Sequence, residues 1–149
     1  MTVLETLTED VVKVPLTSET KIEILDELLE ILVAKGLVKN REKVFQKIMA
    51  REEQVSTGLD HGIAIPHAKG EGVDSLVCAV GIKPEGIDFE SHDGQPTKLF
   101  FLVIAPPGQT GPHIEALKEI AVLVSDNTRR EKLFQAKTSK ELLSIIHSV

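Results

Sequence analysis

Tryptophan and tyrosine are absent from this chain, and five phenylalanines supply all of its large aromatic surface. That scarcity excludes a binding face built on stacking against single-stranded nucleic acid or sugar rings. Basic residues are also too few for a polyanion: 17 Lys and Arg stand against 23 Asp and Glu, a net charge of -6. Neutralising a phosphate backbone takes clustered cations, and no cluster stands out, so no nucleic-acid partner is expected. Cys78 is the one cysteine, which rules out an intrachain disulfide, and its place in the apolar run Leu76-Val77-Cys78-Ala79-Val80 reads as a buried structural thiol. The longest apolar run, Leu99 to Ala105, falls far short of the ~20 residues that cross a bilayer. The opening Met1-Thr2-Val3-Leu4-Glu5 has neither the basic stretch nor the apolar core of a secretory signal. A cytoplasmic protein with no membrane insertion is expected. Without Cys pairs or a His-Glu-x-x-His helix, neither a metal nor a cofactor is expected.

What the chain does have is the length and patterning of a globular domain. With 149 residues, 42% of them hydrophobic, it fits one domain spanning 1–149, since half that length would bury too little surface to fold securely. Val11, Val12 and Val14 predict a first strand ending near Pro15. Ile22, Leu25, Leu28, Leu29 and Leu32 recur at helical spacing, with Thr20 and Glu23 as a capping box and Gly36 as the stop. Asn40 caps a second helix carrying Val44, Phe45, Ile48 and Met49. Leu76 to Ile82 and Leu99 to Ile104 are unbroken apolar runs, the pattern of strands covered on both faces. Pro106 to Pro112 reads as a loop, His113 to Val124 as a helix, Arg129 to Gln135 as a short helix, and Thr138 with Glu141 as the cap of a last one. Strands buried on both faces need helices on both sides, which predicts an α/β fold, a three-layer α/β/α sandwich.

The chemistry is concentrated between Arg51 and Ala68. Pro66 locks its own φ, lacks an N–H and holds Ile65 extended, so the backbone that delivers His67 has little freedom. An imidazole titrates near neutrality, so much of it is neutral and nucleophilic, and its attack on phosphorus makes a P–N bond that can be passed onward. By residue type alone, His67 reads either as that nucleophile or as a hydrogen-bonded surface residue. By residue type alone, Arg51 reads first as a cation at the C-terminal end of the second helix, where the dipole favours it, and His113 as a neighbour of a helix cap. Glu52 and Glu53 read as a solvated helix end, and His61, His92 and His147 as solvent-facing.

Taken together, Arg51-Glu52, Ser56-Thr57-Gly58 and Gly62-Ile63-Ala64-Ile65-Pro66-His67 resemble the signature of the IIA components of the bacterial sugar phosphotransferase system (PTS), fructose/mannitol type. Downstream, Gly86-Ile87-Asp88-Phe89, Asp93-Gly94 and His113-Ile114-Glu115-Ala116-Leu117 resemble later segments of the same family, so the likeness runs from about Val11 to Ile146. It implies the PTS IIA fold, with a mixed β-sheet, and a phosphocarrier in which His67 accepts a phosphoryl group from HPr and passes it to a cysteine of an EIIB component. By position, Arg51 matches the arginine that opens the signature and His113 the second histidine of the site. A guanidinium there screens phosphoryl oxygens, and His113 donates a hydrogen bond to them or holds the neighbouring ring in one tautomer. Main-chain donors at Thr57, Gly58 and Gly62, and a docking patch at Leu59, Ile63 and Ile65, are further expectations. One departure is Asp60, which stands where the family usually has glycine in a turn; aspartate tolerates left-handed backbone better than most residues. The same site serves a second reading, a regulatory protein of the nitrogen-related branch whose phosphorylation switches its binding to a target, and a third, a binding domain without transfer activity. The chain contains no IIB-like cysteine loop, so delivery to a separate polypeptide is expected. The sugar, the oligomeric state and the phosphorylated ring nitrogen stay open.

Overall fold

The computed structural model describes residues 2–148. In chain order they form β1 (Val12–Lys13), α1 (Lys21–Ala34), α2 (Arg41–Gln54), β2 (Ile63–Ala64), β3 (His67–Lys69), β4 (Val77–Ile87), β5 (Thr97–Ala105), α3 (Thr110–Leu123), α4 (Asn127–Phe134) and α5 (Ser139–His147). The helix starts are set locally. The side-chain oxygens of Thr20, Asn40, Asp126 and Thr138 each accept the N–H three residues on, satisfying a donor the first turn leaves free. α1 stops because Gly36 takes φ +82. The Leu37 N–H then donates to Leu32 and the Gly36 N–H to Val33, a Schellman closure that only a residue at ease with positive φ completes.

The sheet runs β1-β4-β5-β2, with β3 pairing further along the same edge of β5. β4 and β5 are antiparallel, while β1 lies parallel to β4, and β2 and β3 parallel to β5. The sheet is therefore mixed. Every residue of β5 except Lys98 is buried, so both faces of the central pair are covered. α1 packs on β4, α3 on β5 and α5 on β1, with α1 against α2 and α4 against α5. Phe89, Phe100 and Phe101 sit fully buried among the aliphatics, the Phe89 and Phe100 rings edge-to-face at 5.5 Å.

Several boundaries differ from expectation. Val11 closes a 3-10 turn, and the first strand begins at Val12. α3 begins at Thr110, so Gly111 and Pro112 belong to its first turn; proline is tolerated there because that N–H has no helical partner in any case. α4 begins at Asn127 because Asp126 caps it. No helix of the described residues is long and apolar enough to cross a membrane.

Candidate functional site

The strip Thr57–Leu59 folds back on Ile63–Ile65. The Leu59 N–H donates to the Ile63 carbonyl at 2.7 Å, the Ile65 N–H to the Thr57 carbonyl at 3.1 Å, and Gly58 faces Ala64 across the bridge. The turn between them places His61 at φ 66 and Gly62 at φ 81. The left-handed backbone expected at Asp60 thus falls one residue later, on a histidine, which adopts it more readily than most non-glycine residues. Asp93 holds that turn by accepting the His61 N–H at 3.1 Å. Asp60 itself is exposed, 3.8 Å from His92.

From this hairpin the chain passes along the edge of β5. The Pro66 carbonyl accepts the Val103 N–H at 3.0 Å, and His67 opens β3 in register with Val103. Nδ1 of His67 lies 2.8 Å from the Ile65 carbonyl oxygen. A carbonyl only accepts, so the ring proton sits on Nδ1 and the lone pair is on Nε2. Burial pushes the His67 pKa down, against the upward pull of that hydrogen bond; the Arg51 charge adds to the lowering and Glu52 opposes it. The lowered pKa favours the neutral ring.

α3 brings the second histidine. The His113 N–H donates to Gln109 at 3.1 Å, the first bond of the helix, and the His113 ring meets that of His67 at 5.4 Å with planes 67° apart. Burial, then the neighbouring His67 and Lys69 as competing cationic groups, lower its pKa as well. Its Nε2 is shielded from solvent and has no hydrogen-bond partner. Lys69 ties β3 to the start of α3 through Thr110 Oγ1 at 2.8 Å.

Arg51 comes from the last turn of α2. One guanidinium nitrogen donates to the Val55 carbonyl at 2.9 Å, which closes the helix end, and the remaining donors of the fork are free for an anion. The structure thus sets His113 of α3 against His67 of β3, with Arg51 of α2 near enough for its charge to act on the His67 ring.

Other expectations fail. Glu52 is not solvated: it is 6% exposed and accepts both the N–H and the hydroxyl of Thr57. It also pairs with Lys21 Nζ at 2.8 Å. The spacing carries a partial signal, since Val44, Ile48 and Glu52 repeat every fourth residue on one face of α2, the face that is buried. Lys21 gave no such signal; its ammonium sits 4.7 Å over the Phe89 ring. Two of the three expected main-chain donors are also spent, Thr57 on Glu52 and Gly58 on Ser56 Oγ at 3.1 Å. Ile63 and Ile65 are buried, because both faces of the sheet edge are covered, so of the expected docking patch only Leu59 is exposed. The exposed apolar side chains nearest in sequence to the site residues are Val55 and Ile114. Cys78 is buried as expected, its thiol pushed up to about 12 by burial and Glu119. His61 and His92 are exposed, and so is His147, although its Nε2 reaches the Leu4 carbonyl at 3.0 Å. Among the described residues no group of His, Cys, Asp and Glu is placed to hold a metal ion.

Residues 5–149 match the family model described as phosphoenolpyruvate-dependent sugar phosphotransferase system, EIIA 2. The chain is 35% identical over 147 residues to the PTS system fructose-specific EIIABC component of Bacillus subtilis, a match covering 99% of this chain and 23% of that protein. It is 32% identical to the fructose-specific EIIA component of Haloferax volcanii, over 91% of this chain and 86% of the relative. Among solved structures, nitrogen regulatory protein IIA-Ntr of Neisseria meningitidis superposes with a TM-score of 0.87 at 29% identity, covering 96% of this chain and 97% of the other.

Proposed function

The chain belongs to the EIIA 2 family of the phosphoenolpyruvate-dependent sugar phosphotransferase system, a family of phosphoryl-transfer components, and on that premise we propose that it acts as a single-domain phosphocarrier with His67 as its acceptor. Phospho-HPr is the donor and a cysteine of a fructose-type EIIB component the recipient. The observation that carries this reading is the hydrogen bond from His67 Nδ1 to the Ile65 carbonyl, which leaves Nε2 as the one nucleophilic ring atom.

The Nε2 lone pair attacks the phosphorus of the donor's phosphohistidine; a new P–N bond forms as the old one breaks, and the donor imidazole departs neutral. No proton has to move. The phosphorylated ring carries a positive charge, shared with Nδ1–H, which keeps its bond to Ile65. Arg51 and His113 Nε2–H donate to the equatorial phosphoryl oxygens, where charge stabilisation and alignment supply most of the catalysis. In the second half-reaction a thiolate of EIIB attacks the same phosphorus, a P–S bond forms, the P–N bond breaks, and Nε2 regains its lone pair.

Incubation with labelled phospho-HPr tests the assignment: the wild type takes up an acid-labile phosphoryl group, and His67→Ala does not. Label retained by that variant at wild-type level refutes the site. The likeness to a nitrogen regulatory protein supports a second reading, in which the phosphoryl group on His67 controls binding to a target. A phosphorylation-dependent complex, with no delivery to any EIIB, selects that reading.

A further inference from the structure

We infer that Glu52, buried behind the hairpin and paired with Lys21, is a positioning residue that sets the tautomer and aim of the His67 ring through Thr57 and Ile65. The inference rests on the reading of His67 as the acceptor.

The connection is a sequence of direct contacts. Glu52 Oε2 accepts the Thr57 N–H at 2.8 Å, and Oε1 accepts the Thr57 hydroxyl, so one carboxylate takes both donors of one residue. The Thr57 carbonyl accepts the Ile65 N–H at 3.1 Å. The Ile65 carbonyl accepts His67 Nδ1–H at 2.8 Å. Three links thus join α2 to the catalytic ring, and between them the chain has little slack. Pro66 fixes the backbone after Ile65, and a methyl group on Gly58 would stand 2.8 Å from the Ser91 backbone. The carboxylate, by holding both donors of Thr57, fixes where the strip sits.

The far side of the carboxylate is equally fixed. Lys21 Nζ pairs with Glu52 at 2.8 Å while also reaching Ser56 Oγ at 3.5 Å and the exposed Glu90 at 3.2 Å. Ser56 Oγ in turn donates to the Phe89 carbonyl at 3.0 Å. A carboxylate held on both sides keeps its orientation, and hydrogen bonds in a site screened from water are stronger than on the surface.

Charge acts in the same direction as geometry. Phosphorylation of Nε2 makes the ring cationic, and the Glu52 carboxylate favours positive charge on His67. A group that only stabilised the fold would leave the ring's tautomer and titration alone.

The test uses the full-length, unphosphorylated protein with nitrogen-15 NMR of the histidine rings, so its outcome does not depend on whether the protein transfers phosphate. In Glu52→Gln, which keeps the side chain's shape, the His67 pKa falls below its wild-type value and the Nε2–H tautomer becomes detectable. Acceptance from phospho-HPr slows by about tenfold to a hundredfold, the cost of a small misplacement. Thr57→Ser, which keeps both donors, restores nothing and loses nothing: ring signals and rates stay at wild-type values. If Glu52→Gln does not fold, Thr57→Val, which retains the N–H and removes the hydroxyl, carries the same NMR expectation in weaker form. A folded variant of either kind with an unchanged His67 tautomer and titration overturns the inference. Wild-type protein that shows the NMR coupling but never accepts phosphate overturns the phosphocarrier reading instead.

Discussion

His113→Phe is expected to make the protein more stable and a worse phosphoryl acceptor. His113 Nε2 is buried with no partner, and a buried polar atom left unsatisfied costs about 1–3 kcal/mol. Phenylalanine removes that atom while keeping a ring to meet His67 edge-on at the present 5.4 Å separation. The His113 side chain is only partly buried, so the lower end of the range applies and the expected gain is about 1 kcal/mol. In a chain of this length that raises Tm by roughly 2–4 °C. On the proposed mechanism the rate moves the other way, because the phosphoryl group would lose the His113 donor. Removing one such donor from a transition state costs about 10²–10³ in rate, or roughly 2.7–4 kcal/mol. Thermal and urea unfolding measure the first effect, and single-turnover transfer from phospho-HPr the second. A variant that is less stable than wild type and transfers at the wild-type rate refutes both halves, since His113 would then be a structural side chain.

Two further perturbations read the same site. Gly58→Ala places a methyl group 2.8 Å from the Ser91 backbone and 3.2 Å from the Phe89 ring; urea titration is expected to show a loss of about 1–3 kcal/mol, with slower acceptance because the hairpin that aims His67 must move. Burial holds the His67 pKa below its ordinary value, so the acid limb of the acceptance rate is expected below about pH 6.5, and a midpoint at or above it contradicts the neutral-ring mechanism. The sign for stability follows from the same shifts. Because His67 and His113 both resist protonation in the folded state, the unfolded chain binds more protons there, and stability declines as pH falls through the ordinary imidazole range while staying level above it.

The helix ends were legible because their causes lie within a few residues. Thr20, Asn40 and Thr138 each bond to an N–H three positions on, and Gly36 closes α1 on its own last turn. Strands β4 and β5 were legible as unbroken apolar runs, and the Ala-Ile-Pro-His motif singled out His67. Glu52 was misread because a charged residue at a helix end is ordinarily solvated; the four-residue repeat that turns it inward identifies a face but not what covers it. Ile63 and Ile65 were misread as docking surface for a related reason, since a short apolar segment does not reveal how many of its faces are packed.

Local chemistry in the chain thus determined where helices start and stop, which runs become central strands, and which histidine stands behind a rigid proline. Only the tertiary structure decided that the His113 ring meets that of His67 with the Arg51 charge acting on it, that the His67 proton sits on Nδ1, and that a buried carboxylate lies behind the hairpin. Those outcomes depend on contacts between residues far apart in the chain, such as Lys21 with Glu52 and His67 with His113. No periodicity or cap encodes them, because they exist only once the sheet has brought its edge and the surrounding helices together.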